Sequence, residues 1–281
     1  AFSYLFVGAF AILCLIPFWL MVIGSVTDES ELLLSGYSLW PSAFSLDAYR
    51  ALTHSSSVLN SYAITVFITA TGTCLGLAIS GLLAYSIANR RNRLKNYFAF
   101  FVYFTMLFNG GLVPFYILIT KWLHLSNSLW ALILPVVIQP FLVFLLVSFF
   151  RTIPEELEEA GRIDGANELR IFGSIIVPVA APIIATVALF YALSYWNEWF
   201  NSLLFISDDR KFPLQLLLRR LISNMMAAKN LIPAGAGNLV DIPSLGIRMS
   251  TTVVTVGPII FLYPFVQRYF VKGLTIGAVK G

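Results

Sequence analysis

A polytopic α-helical membrane protein of about six spans is the fold class predicted here, and three observations predict it. The 281 residues are 58% hydrophobic and only 11% charged, where soluble domains carry about 25% charge. Mean hydropathy is +0.83. Stretches of bilayer-spanning length, which requires about 20 mostly apolar residues, recur at 2–26, 58–88, 97–120, 129–150, 179–200 and 250–270. Lipid offers no partner to a backbone amide, so each stretch must be helical.

Taken in order, the first stretch is too long for a cleaved signal peptide and has no basic region before it, so it reads as a retained span. The chain begins at Ala1 without Met, and a short preceding tail on the inner side is expected. Segment 27–57 then holds Asp28, Glu29, Glu31 and Asp47 against Arg50 and reads as external. The loop after the second span carries Arg90, Arg91, Arg93 and Lys95 with no acid, which places it in the cytoplasm. Alternation puts 151–178 and the C-terminal tail inside as well. Asn109-Gly110-Gly111 with Pro114 predicts a distorted third span, and Gln139-Pro140 a distorted fourth. Segment 201–249 is external by alternation although it carries Arg210, Lys211, Arg219, Arg220, Lys229 and Arg248. Within it, 213–222 has the pattern of a short amphipathic helix at the interface. Cys14 and Cys74 sit inside apolar spans and read as small core residues. His54 and His124 lie in different loops, and no metal-ligand spacing occurs. No catalytic or metal residues are expected. The net charge of +4 belongs to the flanks of spans and does not signal nucleic acid.

Chemistry concentrates at 151–178. Thr152-x-x-Glu155 spells a capping box with Pro154 in the first turn. Glu155, Glu156, Glu158 and Glu159 crowd a helix start, where the macrodipole favours negative charge. Asp164-Gly165 breaks that helix, and Asp164 can cap a second one over 166–172. Ala160, Gly161 and Gly165 leave a surface nearly bare of side chains, and Glu159 and Asp164 can offer carboxylates to a partner's cations. The bland alternative is a solvated acidic loop in which Glu158 and Arg162, four residues apart, pair along one helix.

The string Glu159-Ala160-Gly161, three residues, Gly165, nine residues, Ile175, one residue, Val177-Pro178 resembles the EAA loop of permease subunits in binding-protein-dependent ABC importers. Gly161 stands where Ala is usual and Val177 where Leu is usual. The phrases 155–166 and 192–199, with Phe108-Asn109-Gly110-Gly111-Leu112-Val113-Pro114, are similar to maltose-type carbohydrate permeases, including a branch that handles uronate-containing oligosaccharides. The similarity covers about residues 58–281. It implies a type I importer transmembrane domain: a single permease domain over 1–281, with 1–57 as first span and external loop, 58–281 as core, and 151–178 as coupling loop. It also implies an ATPase-coupling role for Glu158, Glu159, Ala160, Gly161, Asp164 and Gly165. The chain has no G-x-x-x-x-G-K-[ST] string, so ATP and Mg are expected in a partner ATPase dimer. Further implied are an extracytoplasmic solute-binding protein, an oligosaccharide substrate such as an alginate or pectin fragment, and a bacterial inner-membrane location. A second permease is expected to complete the path, this chain being the smaller half of a heterodimer.

Sugars stack on aromatics and bond through hydroxyls, and Asn109, Tyr116, Gln139, Tyr195 and Asn197 are candidates for the path. For Gln139 a bond to a neighbouring helix is an equal alternative. Trp130, Trp196 and Trp199 read first as an interfacial belt, and Glu198 as a bonded or solvated rim residue. Ala234, Gly235, Ala236, Gly237 and Asn238 form either a finger toward the binding protein or a linker. The motif does not distinguish a sugar from another solute. A secondary transporter would need ionisable groups at mid-membrane, and an intramembrane enzyme a paired acid, base or nucleophile; no span holds either.

Overall fold

The protein is described from a computed structural model that covers residues 2–54, 56–231, 245–258 and 260. It divides into two compact units: residues up to Ala63 together with Phe212–Ile260, and Ile64–Lys211.

In the first unit, α1 (Phe2–Ser25) is followed by the short helices α2 (Glu29–Ser35) and α3 (Asp47–His54). The start of α4 (Ser56–Ala88) completes the N-terminal part. Leu52 and Val58 pack with Leu214, flanked by Tyr62, Leu217 and Ile247. The Glu29 carboxylate receives the Leu245 and Gly246 N–H groups at 2.9 and 3.0 Å, which caps the helix over 245–258. The predicted short interfacial helix is longer than its pattern suggested. α14 runs over Leu214–Leu231, with Leu214 and Leu216 buried in protein. The Arg220 guanidinium lies 4.1 Å over the Phe212 ring.

The second unit carries the breaks that the sequence predicts. α5 (Lys95–Leu107) stops at 108–111, and α6 (Leu112–Ile117) continues into a π-turn at Leu118–Trp122, bent by 115° from α5. α7 (Trp130–Ile133), extended by the 3₁₀ turn Leu134–Val136, meets α8 (Pro140–Phe150) at 46°. α9 (Glu155–Ile163) and α10 (Glu168–Ile171) stand before a π-turn at Phe172–Ile176. α11 (Val177–Val179) then turns by 88° into α12 (Ala181–Trp196). α13 (Phe200–Phe205) and a 3₁₀ turn at Asp209–Lys211 follow. Among the described residues two helices, Ser3–Ser25 and Ser56–Ala88, are long and apolar enough to cross a membrane unbroken, and counting each bent pair as one span gives five. The sixth stretch, 250–270, lies partly outside the described residues.

Two tyrosines hold the broken fourth span. Their rings fill notches on α4, where a Cβ on Gly72 would meet the Tyr195 ring at 2.5 Å and one on Gly76 the Tyr191 ring at 2.8 Å. Glycine is required at both positions for this close approach. Tyr191 Oη accepts from Gln139 N at 3.2 Å and donates to Val137 O at 3.1 Å. Its one phenolic proton is thereby used, so the Ser80 hydroxyl is the donor in their 2.6 Å contact. Tyr195 Oη donates to Ile133 O at 2.9 Å. These bonds serve the carbonyls and the amide that the Gln139-Pro140 break leaves open.

At the end of α13, Asn127 accepts Ser207 and Asp208 N–H groups on its side chain and the Lys211 ammonium on its carbonyl. Lys211, which defied the charge rule, thus has a structural partner. Cys14 and Cys74 are free and exposed rather than core residues. Both lie on helix faces that this chain leaves uncovered.

Tyr191→Phe should cost about 1–3 kcal/mol, because it strands the Gln139 amide in an apolar seam. Tyr195→Phe, losing one bond, should cost less. Thermal unfolding of the purified variants checks the order; equal midpoints for Tyr191→Phe and the unaltered protein would remove the bracing role.

Candidate functional site

The acidic segment is a short helix held by charge. α9 begins after Pro154, which has no side chain to cap with, and Thr152 Oγ1 instead donates back to Phe149 O at 2.7 Å. The predicted capping box therefore does not form: Thr152, three positions before the helix start, cannot reach its first amides while its hydroxyl serves the preceding helix. Asp164 is the C-cap of α9, and Asn167 caps α10 by accepting from Arg170 N at 2.9 Å. Gly165 takes φ +78° between them, a conformation that costs other residues roughly 1–2 kcal/mol.

Arg162 organises the segment. Its guanidinium donates to Glu158 at 2.8 Å and Glu168 at 3.0 Å, so the pairing of Glu158 with Arg162 along one helix is present. The Arg162 and Glu158 side chains are each only 17% exposed. Tyr85, at the end of α4, donates to Glu168 at 2.7 Å. Arg91 pairs with Glu159 at 3.1 Å and Arg90 with Glu155 at 3.4 Å. Phe172 lies between the rings of Tyr85 and Phe150, at 5.4 and 6.5 Å. These contacts tie α9 and α10 to the ends of α4 and α8. The residues Tyr85, Arg91 and Glu168 escaped sequence reasoning because each lies about 70–80 positions from its partner. The Arg90-Arg91 pair was visible only as an orientation signal.

The segment has two faces. Glu158 is half-buried and Gly161 buried, the latter turned to its own chain; a Cβ there would lie 2.8 Å from Ile175 and 3.3 Å from Ile171. The bareness of Gly161 therefore serves internal packing and not an approaching partner. Glu159, Ala160, Asp164 and Gly165 are exposed. With them stand Ile163 at 86% and Leu169 at 69% exposure.

The path candidates do not converge. The Asn109 carboxamide accepts from Gly111 N at 2.8 Å, closing the turn at the third-span break. With Phe108, Gly111, Pro114 and Phe200 it lines an open hollow of about 820 Å³. Tyr116 stacks on Phe205 at 5.8 Å. Gln139 donates to Ser194 Oγ at 3.2 Å, the bond between helices that was its alternative. Tyr195 is buried in the seam described above. Asn197 is exposed and donates to Leu193 O. Trp196 is buried, so it packs inside the unit rather than in a belt, while Trp130 is exposed. Glu198 accepts from the Asn201 amide and side chain at 2.7 and 3.0 Å, a bonded residue beyond the end of α12. Residues 234–238 lie outside the described residues.

The Arg162 hydrogen bond holds the Glu168 carboxyl below the usual carboxylate range, and the bond from Tyr85 adds to this against partial burial. Its contribution to stability is therefore complete above the unfolded pKa and fades as pH falls through the lower, folded value. Amide hydrogen exchange over 155–171 should speed up on that acidification, and in Arg162→Gln it should already be fast at neutral pH. The variant should lose about 1–3 kcal/mol of local protection; unchanged exchange would mean the cluster braces nothing.

A family model described as "Binding-protein-dependent transport system inner membrane component" matches residues 76–276. The chain is similar to Protein LplC of Bacillus subtilis (strain 168), at 38% identity over 284 residues, 99% of this chain and 93% of that one. It is equally similar to the polygalacturonan/rhamnogalacturonan transport system permease protein YtcP of the same organism, at 38% over 281 residues, 99% and 96% of the two chains. A solved chain from the "crystal structure of a bacterial ABC transporter involved in the import of the acidic polysaccharide alginate" matches with TM-score 0.83 and 29% identity over 95% of both chains. Helical spans, a bent core and a braced acidic loop, together with these likenesses, define a multi-pass transport subunit and not an enzyme: the chain belongs to the family of binding-protein-dependent transport system inner membrane components, the permeases of ABC importers.

Proposed function

We propose that this permease forms half of the pathway for an acidic oligosaccharide and receives the ATPase stroke through α9. The observation that carries the coupling reading is the outward face of the braced segment. Ile163 and Leu169 stand exposed beside Glu159, Asp164 and Gly165, on a cytoplasmic loop where lipid cannot cover them. Exposed apolar groups rimmed by carboxylates suit a protein cleft that supplies its own cations. In this reading ATP and Mg are bound by an ATPase dimer. Closure of that dimer moves α9, and the Tyr85, Arg91 and Phe172 contacts pass the movement to α4 and α8. A nucleotide-driven bias between two permease states is then enough for transport.

The substrate class rests on the relatives: one is named for polygalacturonan and rhamnogalacturonan transport, and the solved neighbour imports alginate. Both are acidic polysaccharides. The exposed Arg219 and Arg220 of α14 would attract such a chain or an acidic binding-protein surface. Asn109 and the hollow at the third-span break are the path elements we assign first. Tyr116, Gln139, Tyr195 and Asn197 would reach the path only in another conformational state, and Ala234–Asn238 are assigned to the docked binding protein. The whole of 1–281 acts as one permease domain, paired with a second, different permease.

Copurification of the complex from its native cell, with ATPase assays on added binding protein and uronate oligomers, tests the reading. A second permease, an ATPase and hydrolysis stimulated by one loaded binding protein are expected; a chain that purifies alone would overturn it. Glu159→Lys should abolish ATP-driven uptake while leaving the fold intact, and normal uptake would remove Glu159 from the interface. Gly165→Pro should reduce ATPase copurification. Uptake unaffected by neutralising Arg219 and Arg220 would remove their steering role.

A further inference from the structure

The external segment after α1 is built unlike a water-exposed loop. Residues 32–46 carry no charge. Leu33, Leu34, Tyr37, Leu39, Trp40 and Phe44 all point outward, Leu34 at 88% and Trp40 at 66% exposure. Part of its polar backbone, by contrast, is bonded within the protein, at the amides of Ser42, Ala43 and Ser45 and the carbonyls of Leu39 and Ala43. The Glu31 carboxylate receives the Ser42 and Ala43 N–H groups at 2.8–3.1 Å. Asp28 N donates to Ala43 O and Ser45 N to Val26 O, across an isolated antiparallel bridge between Thr27 and Phe44. Trp19 Nε1 donates to Leu39 O at 2.9 Å. A carboxylate and an indole thus take up amides and a carbonyl that an open loop would leave to water.

The position of the segment follows from Trp19. The indole of Trp40 stacks on it at 6.4 Å, and Phe44 meets Trp40 edge-on at 6.3 Å. Trp19 lies six residues before the end of α1 at Ser25, or about 9 Å down the helix axis. The chain therefore leaves the outer end of the span and folds back along its side toward the lipid core. Irregular backbone can enter that region only where its polar groups are satisfied within the protein. Tryptophan and tyrosine favour the headgroup level, with an apolar body in the chains and a polar tip outward. Neither the Tyr37 hydroxyl nor the Trp40 indole N–H is bonded among the described residues.

We propose that residues 33–44 form an aromatic flap seated in the outer leaflet, with lipid at the headgroup–acyl boundary as its partner. The flap would anchor the outer end of α1 and continue the lipid-facing surface of that helix around its rim. The surface is not a site for sugar or binding protein.

Nitroxide labels on Leu34→Cys and, separately, Trp40→Cys test this in the assembled importer in phospholipid nanodiscs, with Cys14 and Cys74 replaced by serine. Leu34 touches so little that its variant keeps the fold if Trp40→Cys does not. Power saturation reads contact with oxygen, which concentrates in lipid, and with a water-soluble nickel chelate. Oxygen contact several-fold above nickel contact is expected at both positions. Nickel contact above oxygen would place the flap in water and overturn the proposal. Low contact with both would place it under a protein neighbour, such as a second permease, and overturn it equally.

Discussion

Inside a bilayer no water is at hand to bond a freed amide or carbonyl, and a helix that breaks there must find its own partners. The second unit of this protein depends on meeting that demand. Its fourth span breaks at Gln139-Pro140, and the open backbone groups there are taken by the hydroxyls of Tyr191 and Tyr195 from α12. The rings carrying those hydroxyls reach the break only because Gly72 and Gly76 leave α4 bare where they pass. Three helices are thereby fixed by two side chains. The third-span break is met locally, by the Asn109 carboxamide on Gly111 N. Unbraced in this way, it opens onto the hollow beside Phe200.

The acidic segment is held by different forces. Outside lipid, exposed ion pairs such as Arg91 with Glu159 contribute at most about 1 kcal/mol each. The part that rigidifies is the sheltered cluster of Arg162 with Glu158 and Glu168, closed by Tyr85, on top of the Phe172 contacts. One set of carboxylates is spent inward to hold the helix, and the other remains outward beside Ile163. The cluster fixes α9 against the ends of α4 and α8, with Ile163 left exposed on its other side.

Much of this was legible in advance. Hydropathy marked the spans, and Gly-Gly, Pro and Gln-Pro marked the breaks, since those residues act on their own backbone. The turn at Gly165 was legible for the same reason. The capping box was legible and wrong: Thr152 and Glu155 have the right spacing, but the helix begins at Glu155, and the local competition between Phe149 O and the next amides is decided by where α8 ends. Gly161 was assigned to a partner surface because a bare residue has no sign of direction. Packing of Ile171 and Ile175 turns it inward.

The sequence alone determined that this is a polytopic helical protein, where its chain must bend, and which loop is acidic, because each follows from transfer free energy or backbone geometry within a short window. Tertiary structure decided which carboxylates face in, which tyrosines serve as backbone partners, and that the uncharged segment after α1 folds back along that helix. Those outcomes rest on contacts between residues tens of positions apart, such as Ser80 with Tyr191 or Arg91 with Glu159. No local pattern encodes such a pair; it exists only once the helices have been brought together by the burial of their faces.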